Sequence, residues 1–175
     1  MLKVKWILYA GILLVAGFSF SPKPKEQINW LSMQEMQEAY KKNPRPVLID
    51  LYTSWCGWCK EMDRTTYKNS RVVEYINQNY YAVRYDAESK NDIVLNNQVY
   101  KYNKQYKSNE LALYLSFGQL EFPTTVFLAS PADKPAPLAG YLKPKELEAP
   151  LKYFAQRKNA GQSFIEFNKG FKSEW

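Results

Sequence analysis

Two kinds of hydrophobic pattern alternate along the chain. Residues 47–52 form a short run that is apolar on both faces, which is typical of a central parallel strand. Elsewhere apolar residues recur every three or four positions, which favours amphipathic helices. The pattern predicts helices over residues 32–42, from 56 to 63 or 67, 71–78, 109–116 and 145–156, and strands over residues 47–52, 80–85, 121–128 and 138–142. Because strands alternate with helices, we expect an α/β fold with parallel strand pairing.

Local signals refine these boundaries. Ser32 and Glu35 have the spacing of a capping box at the start of the first helix. Pro150 falls inside the last predicted helix, so we expect a kink or an early break there. Residues 162–175 carry four aromatic side chains, too many for a plain polar tail, and the pattern assigns them no element.

The N-terminus has the features of an export signal. Lys3 and Lys5 precede an uncharged, largely apolar stretch at 6–20, which is shorter than the ~20 residues of a membrane-spanning helix. Gly17 and Ser19 provide small residues for cleavage after Ser19, and an uncleaved membrane anchor is the alternative. In either case we expect the protein outside the cytoplasm, in a bacterial periplasm or anchored to the membrane and facing it, where disulfides persist.

The expected organisation therefore has four parts. A signal peptide or anchor occupies residues 1–20, and a proline-containing linker occupies residues 21–29. One folded domain follows over residues 30–157, and residues 158–175 form a C-terminal extension. An apolar fraction of 46% with 16% aromatic residues is enough for a substantial core in a chain of 175 residues.

Charge and composition exclude several classes of function. The formal charge is +7, but the basic residues are scattered singly, so we expect a solvated basic surface and no nucleic-acid partner. The chain has no histidine, which excludes Ser-His-Asp and Cys-His nucleophiles and every metal site that needs histidine. We therefore expect no metal and no bound cofactor.

The only two cysteines, Cys56 and Cys59, form a C-x-x-C pair directly after the strand at 47–52. The first turn of the helix that follows supplies unpaired N–H groups and the positive end of the helix dipole. Both favour the thiolate, which is the reactive form of cysteine. The pair therefore predicts a redox centre for thiol–disulfide exchange.

The segment from Asp50 through Trp55-Cys56-Gly57-Trp58-Cys59-Lys60 resembles the active site of thioredoxins, and Phe122-Pro123-Thr124 resembles their cis-proline segment. The combination is similar to that of exported thioredoxin-like proteins, including the thiol-reducing domains of bacterial membrane electron-transfer systems. The resemblance covers about residues 30–156. It implies an α/β thioredoxin-like fold, with a central mixed sheet flanked by helices and an insertion before the cis-proline strand.

The resemblance also implies roles for the catalytic residues. Cys56 matches the exposed nucleophile that attacks a substrate disulfide, and Cys59 matches the more buried resolving thiol. Asp50 matches a buried carboxylate that helps to deprotonate the resolving cysteine; a polar residue hydrogen-bonded near a strand end is the alternative. Pro123 matches the cis-proline that faces the disulfide, and a trans proline opening an edge strand is its alternative.

The residues around the cysteines are expected to meet the substrate. Trp55 is either packed under the loop or a flat surface for substrate, whereas Trp58 is expected to protrude beside Cys56. The full set of candidate substrate-binding residues is Trp55, Gly57, Trp58, Phe122, Pro123 and Thr124.

Two departures from the family pattern bear on direction and proton transfer. The lysine that thioredoxins place on the neighbouring strand corresponds to Ala82, with Arg84 two residues further along the same face. Trp58, between the cysteines, cannot carry the positive charge of the histidine that strongly oxidising relatives place there, and Asp50 adds a negative charge. We therefore expect a reducing centre, with a Cys56 pKa lowered only moderately from the ~8.5 of a free thiol.

The leading hypothesis is a thiol–disulfide oxidoreductase that reduces protein disulfides outside the cytoplasm. Its partners would be proteins with disulfides or thiols, and a membrane protein would supply the electrons. The alternatives are a binding module with an inert or copper-holding cysteine pair, and a disulfide isomerase.

Overall fold

The computed structural model describes residues 27–156 and 161–175. The predicted export signal and the first part of the linker lie outside these ranges. Within them, no helix is both long enough and apolar enough to cross a membrane.

The fold alternates strands and helices, as the sequence predicts. The helices are α1 (Met33–Lys42), α2 (Gly57–Arg64), α3 (Ser70–Asn79), α4 (Glu110–Leu115), α5 (Pro144–Ala155) and α6 (Phe164–Gly170), with a 3₁₀ turn at Thr66–Lys68. The strands are β1 (Trp30–Leu31), β2 (Val47–Tyr52), β3 (Tyr81–Asp86), β4 (Ile93–Leu95), β5 (Gln98–Tyr100), β6 (Tyr102–Asn103), β7 (Ser108–Asn109), β8 (Thr124–Leu128) and β9 (Ala136–Ala139).

Five of the strands form one mixed sheet in the order β1-β3-β2-β8-β9. Strands β1, β3 and β2 run parallel, whereas β8 and β9 are antiparallel to their neighbours. The carboxyl ends of β2, β3 and β9 and the amino end of β8 therefore share one edge of the sheet. This edge, called the active edge below, carries the C-x-x-C loop.

The sheet is buried on both faces. One face packs against α1, α4 and the inserted segment, with Ile49, Leu51 and Val126 in its core. The other face packs against α3 and α5, with Leu48 and Phe127 in its core. This two-sided burial explains why β2 is continuously apolar in the sequence.

The N-terminal part of the domain begins earlier than the expected linker boundary. Ile28 is 4% exposed and belongs to the core beside α3. The amide of Asn77 donates to the carbonyl of Gln27 at 3.0 Å, and its oxygen accepts the Asn29 N–H at 2.8 Å. Residues 27–29 thus pack on the domain instead of forming part of a spacer.

Helix boundaries follow the capping signals closely. The Ser32 hydroxyl accepts the Glu35 N–H at 3.2 Å, and the Glu35 carboxylate accepts the Ser32 N–H at 2.8 Å, which completes the predicted capping box. Asn69 caps α3 by accepting two backbone N–H groups. After α4, Gly118 adopts a φ of +79° and donates to the Leu113 carbonyl at 2.7 Å, so the helix ends as expected.

Two sequence-based strand boundaries and the early break expected at Pro150 were wrong. Helix α5 does not break at Pro150 but continues to Ala155. Proline has no backbone N–H, so the helix lacks one hydrogen bond at Pro150. Leu147 and Leu151, on either side of the proline, are fully buried, and their packing keeps the helix intact. Strand β9 covers Ala136–Ala139 and not residues 138–142, because Gly140 turns the chain with a φ of +99°. Strand β8 begins only at Thr124, after the proline.

The segment between β3 and β8 is a compact insertion. It forms two hairpins, β4–β5 and β6–β7, followed by α4. The insertion is attached to the main sheet at Ala87, whose carbonyl accepts the Ser108 hydroxyl at 2.8 Å and the Asn109 N–H at 2.7 Å. Its base therefore lies directly after the end of β3, at the active edge.

The aromatic C-terminal segment packs against α3 and α5. Glu148 on α5 is fully buried and accepts bonds from the Ser173 hydroxyl at 2.6 Å and the Trp175 N–H at 3.1 Å. Lys152 lies 2.8 Å from the same carboxylate. Burial alone would raise the pKa of Glu148, but these hydrogen bonds hold it below its usual value. Trp175 meets the ring of Tyr75 edge-on at 5.7 Å.

Replacing Glu148 with glutamine should destabilise the domain. The change removes the charge that pairs with Lys152 and weakens the bonds to the last residues, at a cost of about 2–3 kcal/mol in the free energy of unfolding. Urea denaturation measures this directly. Glu38→Gln, an exposed carboxylate on α1, is the matched control. Equal stability of the two variants would mean that Glu148 does not anchor the C-terminal segment.

Candidate active site

The two cysteines form a disulfide at the junction of β2 and α2. Their Cα atoms are 5.3 Å apart. Cys56 is the N-cap of α2, and its sulfur accepts the backbone N–H of Cys59 at 3.0 Å. This N–H is one of the orphan donors of the first helical turn, so it would stabilise negative charge on the same sulfur after reduction.

Both cysteines are buried in the disulfide form. Cys56 is 4% exposed and Cys59 is 3% exposed, so the expectation of an exposed Cys56 was wrong for this state. The backbone explains the burial, because the Cys56 N–H donates to the Thr53 carbonyl at 3.2 Å and its carbonyl accepts the Lys60 N–H at 3.3 Å. These bonds hold Cys56 inside the turn between strand and helix.

Asp50 lies in the middle strand of the sheet and is 2% exposed. The strand register places it opposite Arg84 on β3 and Thr125 on β8. Its carboxylate lies 3.4 Å from Nε of Arg84 and 3.5 Å from the hydroxyl of Tyr67. A buried carboxylate is thus surrounded by one cation and hydroxyl groups.

Arg84 connects Asp50 to a second carboxylate. Its guanidinium makes a salt bridge with Asp63 on α2, and it lies over the ring of Tyr52 at 4.5 Å. Arg84 therefore takes over the position of the cation that the family pattern would place at Ala82. The sequence analysis did not identify Asp63 or Tyr67, although Asp63 lies one helical turn after Cys59, on the side that faces the sheet.

Burial raises the pKa of Asp50 to about 7. The Arg84 guanidinium lowers it, the negative charge of Asp63 raises it, and the Tyr67 hydroxyl lowers it. The desolvation of a carboxylate inside the sheet is the dominant effect. Asp50 can consequently gain or lose a proton near neutral pH, as a proton acceptor for a thiol must.

The bond between Phe122 and Pro123 is cis, which confirms the interpretation of this segment. The Pro123 carbonyl accepts the N–H of Gly140 at 2.8 Å, which joins the start of β8 to the end of β9. Thr124 is buried, and its hydroxyl donates to the Glu121 carbonyl at 2.7 Å. Thr124 therefore shapes this turn from inside, and Phe122 remains partly exposed at the surface.

Trp55 is 64% exposed, which favours a surface for substrate over packing under the loop. Its indole N–H donates to the carboxylate of Glu88 at 3.1 Å. Its ring meets Phe122 edge-on, with centroids 6.1 Å apart. The indole is thus held between the end of β3 and the start of β8.

Trp58 protrudes as expected and is 63% exposed. Its ring stacks on Tyr141 with the centroids 5.6 Å apart and the planes 28° apart. The Tyr141 hydroxyl lies 3.0 Å from the hydroxyl of Thr65. Gly57, next to Trp58, is exposed, and a Cβ there would meet no atom within 4 Å, so this part of the loop is open.

Glu88 and Tyr141 were missed by the sequence analysis. Each lies more than 30 residues from the tryptophan that it contacts, so no local pattern links them. Glu88 follows β3 and Tyr141 follows β9, and both strands end at the active edge. Both positions can be identified only once it is known that β3 and β9 end at the same edge as the C-x-x-C loop.

Comparison with known proteins agrees with this geometry. The chain is 26% identical to the thiol:disulfide interchange protein DsbD of Pectobacterium atrosepticum, over 43% of this chain but only 16% of that relative. The solved structure of DsbH oxidoreductase aligns with 79% of this chain, and the alignment covers 91% of that structure. The TM-score is 0.55 and the sequence identity is 19%. The solution structure of a thioredoxin from Thermus thermophilus aligns with 78% of this chain, and the alignment covers 94% of that thioredoxin. The TM-score is 0.58 and the sequence identity is 16%.

The match to a family model is more extensive. Residues 33–155 match the model of the thioredoxin-like domain. This range contains the cysteine pair and the cis-proline segment of the chain. By this match, its fold and its C-x-x-C disulfide, the chain belongs to the thioredoxin-like domain family and is a thiol–disulfide oxidoreductase.

Proposed function

We propose that the protein reduces disulfides of other proteins outside the cytoplasm through the Cys56–Cys59 couple. The observation that carries the exchange reaction is the position of Cys56, whose sulfur caps α2 and accepts the Cys59 N–H at 3.0 Å. This contact favours a thiolate at the nucleophilic position. The reducing direction follows instead from the neutral residue between the cysteines.

The reaction proceeds in two exchanges. The Cys56 thiolate attacks a substrate disulfide, forms a mixed disulfide and releases one substrate thiolate, which takes a proton from solvent. The Cys59 thiol then loses its proton to Asp50, and its thiolate attacks the Cys56 sulfur. The second substrate sulfur leaves as a thiolate and takes a proton from solvent, Asp50 returns its proton to solvent, and the Cys56–Cys59 disulfide forms. Two electrons pass from the protein to the substrate, and a dithiol donor must return them.

The absence of a cation between the cysteines favours the reducing direction. Strong oxidants of this kind stabilise the reduced form through a very stable thiolate. Trp58 occupies the position between Gly57 and Cys59 and is neutral. Arg84 pairs with Asp50 and weakens the negative field of that carboxylate, but Arg84 also pairs with Asp63, so the cluster as a whole carries no excess positive charge.

The proposed compartment and electron donor rest on the N-terminal sequence and on a curated relative. The residues at 3–20 have the pattern of an export signal, and the curated relative DsbD is named as a thiol:disulfide interchange protein. The chain spans only 16% of the length of that relative. The proposal includes a membrane protein as the electron donor.

The reduction potential of the cysteine pair tests the direction. We expect a value near −230 mV or lower, toward the ~−270 mV of thioredoxin. The protein is equilibrated in glutathione and dithiothreitol buffers, and the oxidised fraction is read by mass after alkylation. A value near −120 mV would make the protein an oxidant and would contradict the argument from Trp58.

Single-cysteine variants test the mechanism. Cys56→Ser should abolish dithiothreitol-driven insulin reduction, since no nucleophile remains to attack the substrate. Cys59→Ser should instead accumulate a mixed disulfide with insulin, because nothing resolves it. Mass spectrometry under non-reducing conditions detects this adduct. Wild-type protein without insulin reductase activity would favour the binding module.

The pKa of Asp50 predicts a pH-dependent stability. A carboxyl group whose pKa is raised from 3.8 to about 7 in the fold holds its proton more tightly there than in the unfolded chain. Its contribution to the free energy of unfolding is therefore largest below pH ~4 and is lost as the pH rises to about 7. The loss amounts to at most about 4 kcal/mol, since each pKa unit corresponds to ~1.36 kcal/mol.

Asp50→Asn removes this dependence. The difference in unfolding free energy between the variant and the wild type should shift in favour of the variant between pH 4 and pH 7 and then remain constant. Urea denaturation of the oxidised proteins at several pH values gives this difference, with Asp133→Asn on the exposed surface as the control. A difference that does not vary with pH would show that Asp50 titrates normally.

A further inference from the structure

The hydroxyl of Tyr67 lies between Asp50 and a second buried hydroxyl. Its oxygen is 3.5 Å from a carboxylate oxygen of Asp50 and 3.4 Å from Oγ1 of Thr125. Thr125 lies on β8 in register with Asp50 on β2, and all three side chains are buried. A tyrosine from outside the sheet therefore contacts two positions that face each other on neighbouring strands.

The packing of its ring fixes the position of this hydroxyl. Tyr67 belongs to the 3₁₀ turn after α2, and its ring meets the ring of Trp30 edge-on at 5.2 Å. The neighbouring Thr66 hydroxyl donates to the Leu142 carbonyl at 2.5 Å, which ties the turn to the segment after β9. None of these contacts needs the Tyr67 hydroxyl, so Tyr67→Phe removes the hydroxyl and leaves the ring in place.

The Tyr67 hydroxyl has one proton to donate and two acceptors within reach. When Asp50 is ionised, the hydroxyl donates to the carboxylate. When Asp50 is protonated, the hydroxyl can donate to Oγ1 of Thr125 instead. Because a hydrogen bond to a charged acceptor is the stronger of the two, the net effect of the hydroxyl is to favour the ionised form of Asp50.

Tyr67 does not itself carry the proton away. Burial raises the pKa of Tyr67 well above its usual value, and the negative charge of Asp50 raises it further. The tyrosine therefore keeps its own proton and acts on the chemistry only through Asp50.

The charged groups that act on Asp50 come from two other elements. They are Arg84 on β3 and Asp63 on α2, which also bind each other. Strand β8 and helices α3 and α5 contribute uncharged side chains to the core on this face of the sheet, among them Phe127 and Leu147. Removing the Tyr67 hydroxyl thus changes the hydrogen bonding of Asp50 and leaves the charges around it unchanged.

We propose that Tyr67 is a positioning residue whose hydroxyl, shared between Asp50 and Thr125, sets the pH at which Asp50 accepts the proton of Cys59 in the second exchange. This inference rests on the proposed function, in which the Cys59 thiol loses its proton to Asp50. The ionised carboxylate is the form that accepts a proton. Without the hydroxyl, Asp50 stays protonated to a higher pH, and the second exchange slows near neutral pH.

Carboxyl carbon NMR of the oxidised full-length protein, labelled at aspartate, measures the titration of Asp50 directly. The cysteines do not titrate in the disulfide, and Asp50→Asn identifies the resonance. We expect Tyr67→Phe to raise the midpoint by about 0.5–1 pH unit, the effect of losing one long hydrogen bond to a charged group.

The second exchange is followed with pre-reduced protein and the aromatic disulfide dithiobis(nitrobenzoate). The Cys56 thiolate attacks one of its sulfurs and releases a first nitrothiobenzoate. Asp50 takes the proton of Cys59, and the Cys59 thiolate attacks the Cys56 sulfur, which releases a second nitrothiobenzoate and forms the Cys56–Cys59 disulfide. Stopped-flow absorbance separates the first release, whose rate depends on reagent concentration, from the second, whose rate does not.

In Tyr67→Phe the pH midpoint of the second release should rise by a similar amount to the NMR midpoint. Since the pKa of Asp50 is about 7, its rate at pH 7 should fall about two- to fivefold. The rate of the first release should stay within about twofold of wild type, because the attack by Cys56 does not use Asp50.

Tyr80→Phe is the matched control for the loss of a buried tyrosine hydroxyl. The Tyr80 hydroxyl donates to the Leu151 carbonyl at 2.6 Å, near the amino end of β3 and away from the active edge. This variant should lower the stability measured in urea and leave both midpoints unchanged.

Thr125→Val tests the other partner of the hydroxyl. It should move the NMR midpoint less than half as far as Tyr67→Phe does, because the hydroxyl that bonds to Asp50 is still present. An equal or larger shift would mean that Thr125, and not Tyr67, sets the titration of Asp50, and the proposal would be wrong.

Two results with Tyr67→Phe would also overturn the proposal. An unchanged NMR midpoint would show that the hydroxyl does not act on Asp50. A raised NMR midpoint with an unchanged second release would show that Asp50 does not take the Cys59 proton, although disulfide reduction itself would stand. The proposed function fails separately, if the wild type does not reduce insulin, and the NMR midpoint still decides whether Tyr67 acts on Asp50.

Discussion

A carboxylate in the middle of a β-sheet is the constraint around which the catalytic half of this fold is arranged. Asp50 is 2% exposed, and an unpaired charge at this depth would cost several kcal/mol. Arg84 from the next strand and the Tyr67 hydroxyl from the turn after α2 lie beside the carboxylate and offset that cost. Since Arg84 also binds Asp63 on α2, one guanidinium joins β2, β3 and the helix that carries Cys59.

The cluster places a cation beside Asp50 without the lysine of the family pattern. Ala82 is buried in the core and has no charge to offer. The positively charged residue lies two positions further along β3, at Arg84, which the strand register places opposite Asp50. Arg84 therefore supplies the positive charge that faces the Asp50 carboxylate across the sheet.

The sequence predicted the parts of the molecule that depend on local chemistry. Strand β2, the cap of α1 and the start of α2 at the cysteines each follow from residues within a few positions of one another, and the family resemblance correctly identified the cis bond before Pro123. The errors arose where distant residues decide the outcome. A kink or an early break was expected at Pro150, and the early break does not occur, because the core contacts of its neighbours keep the helix intact.

The same reason explains why the candidate site was only partly predicted. The tryptophans could be identified as surface residues because they flank Cys56, but their partners, Glu88 and Tyr141, come from the ends of two other strands. Likewise, nothing near Glu148 in the sequence shows that its charge is balanced in part by the last residues of the chain. Pairwise contacts across the sheet and between segments need the topology first.

The site divides into two sets of residues with separate physical tasks. Asp50, Arg84 and Asp63 form a charged cluster around a buried carboxylate, whereas Trp55 and Trp58 are large aromatic side chains exposed at the surface. The two sets meet on α2, which carries both Asp63 and Trp58. Because no contact described here joins the sets directly, we expect the effects of substitutions in the two sets to be close to additive. Glu88, which accepts the Trp55 indole N–H, comes from the segment after β3 and has no described contact with the charged cluster.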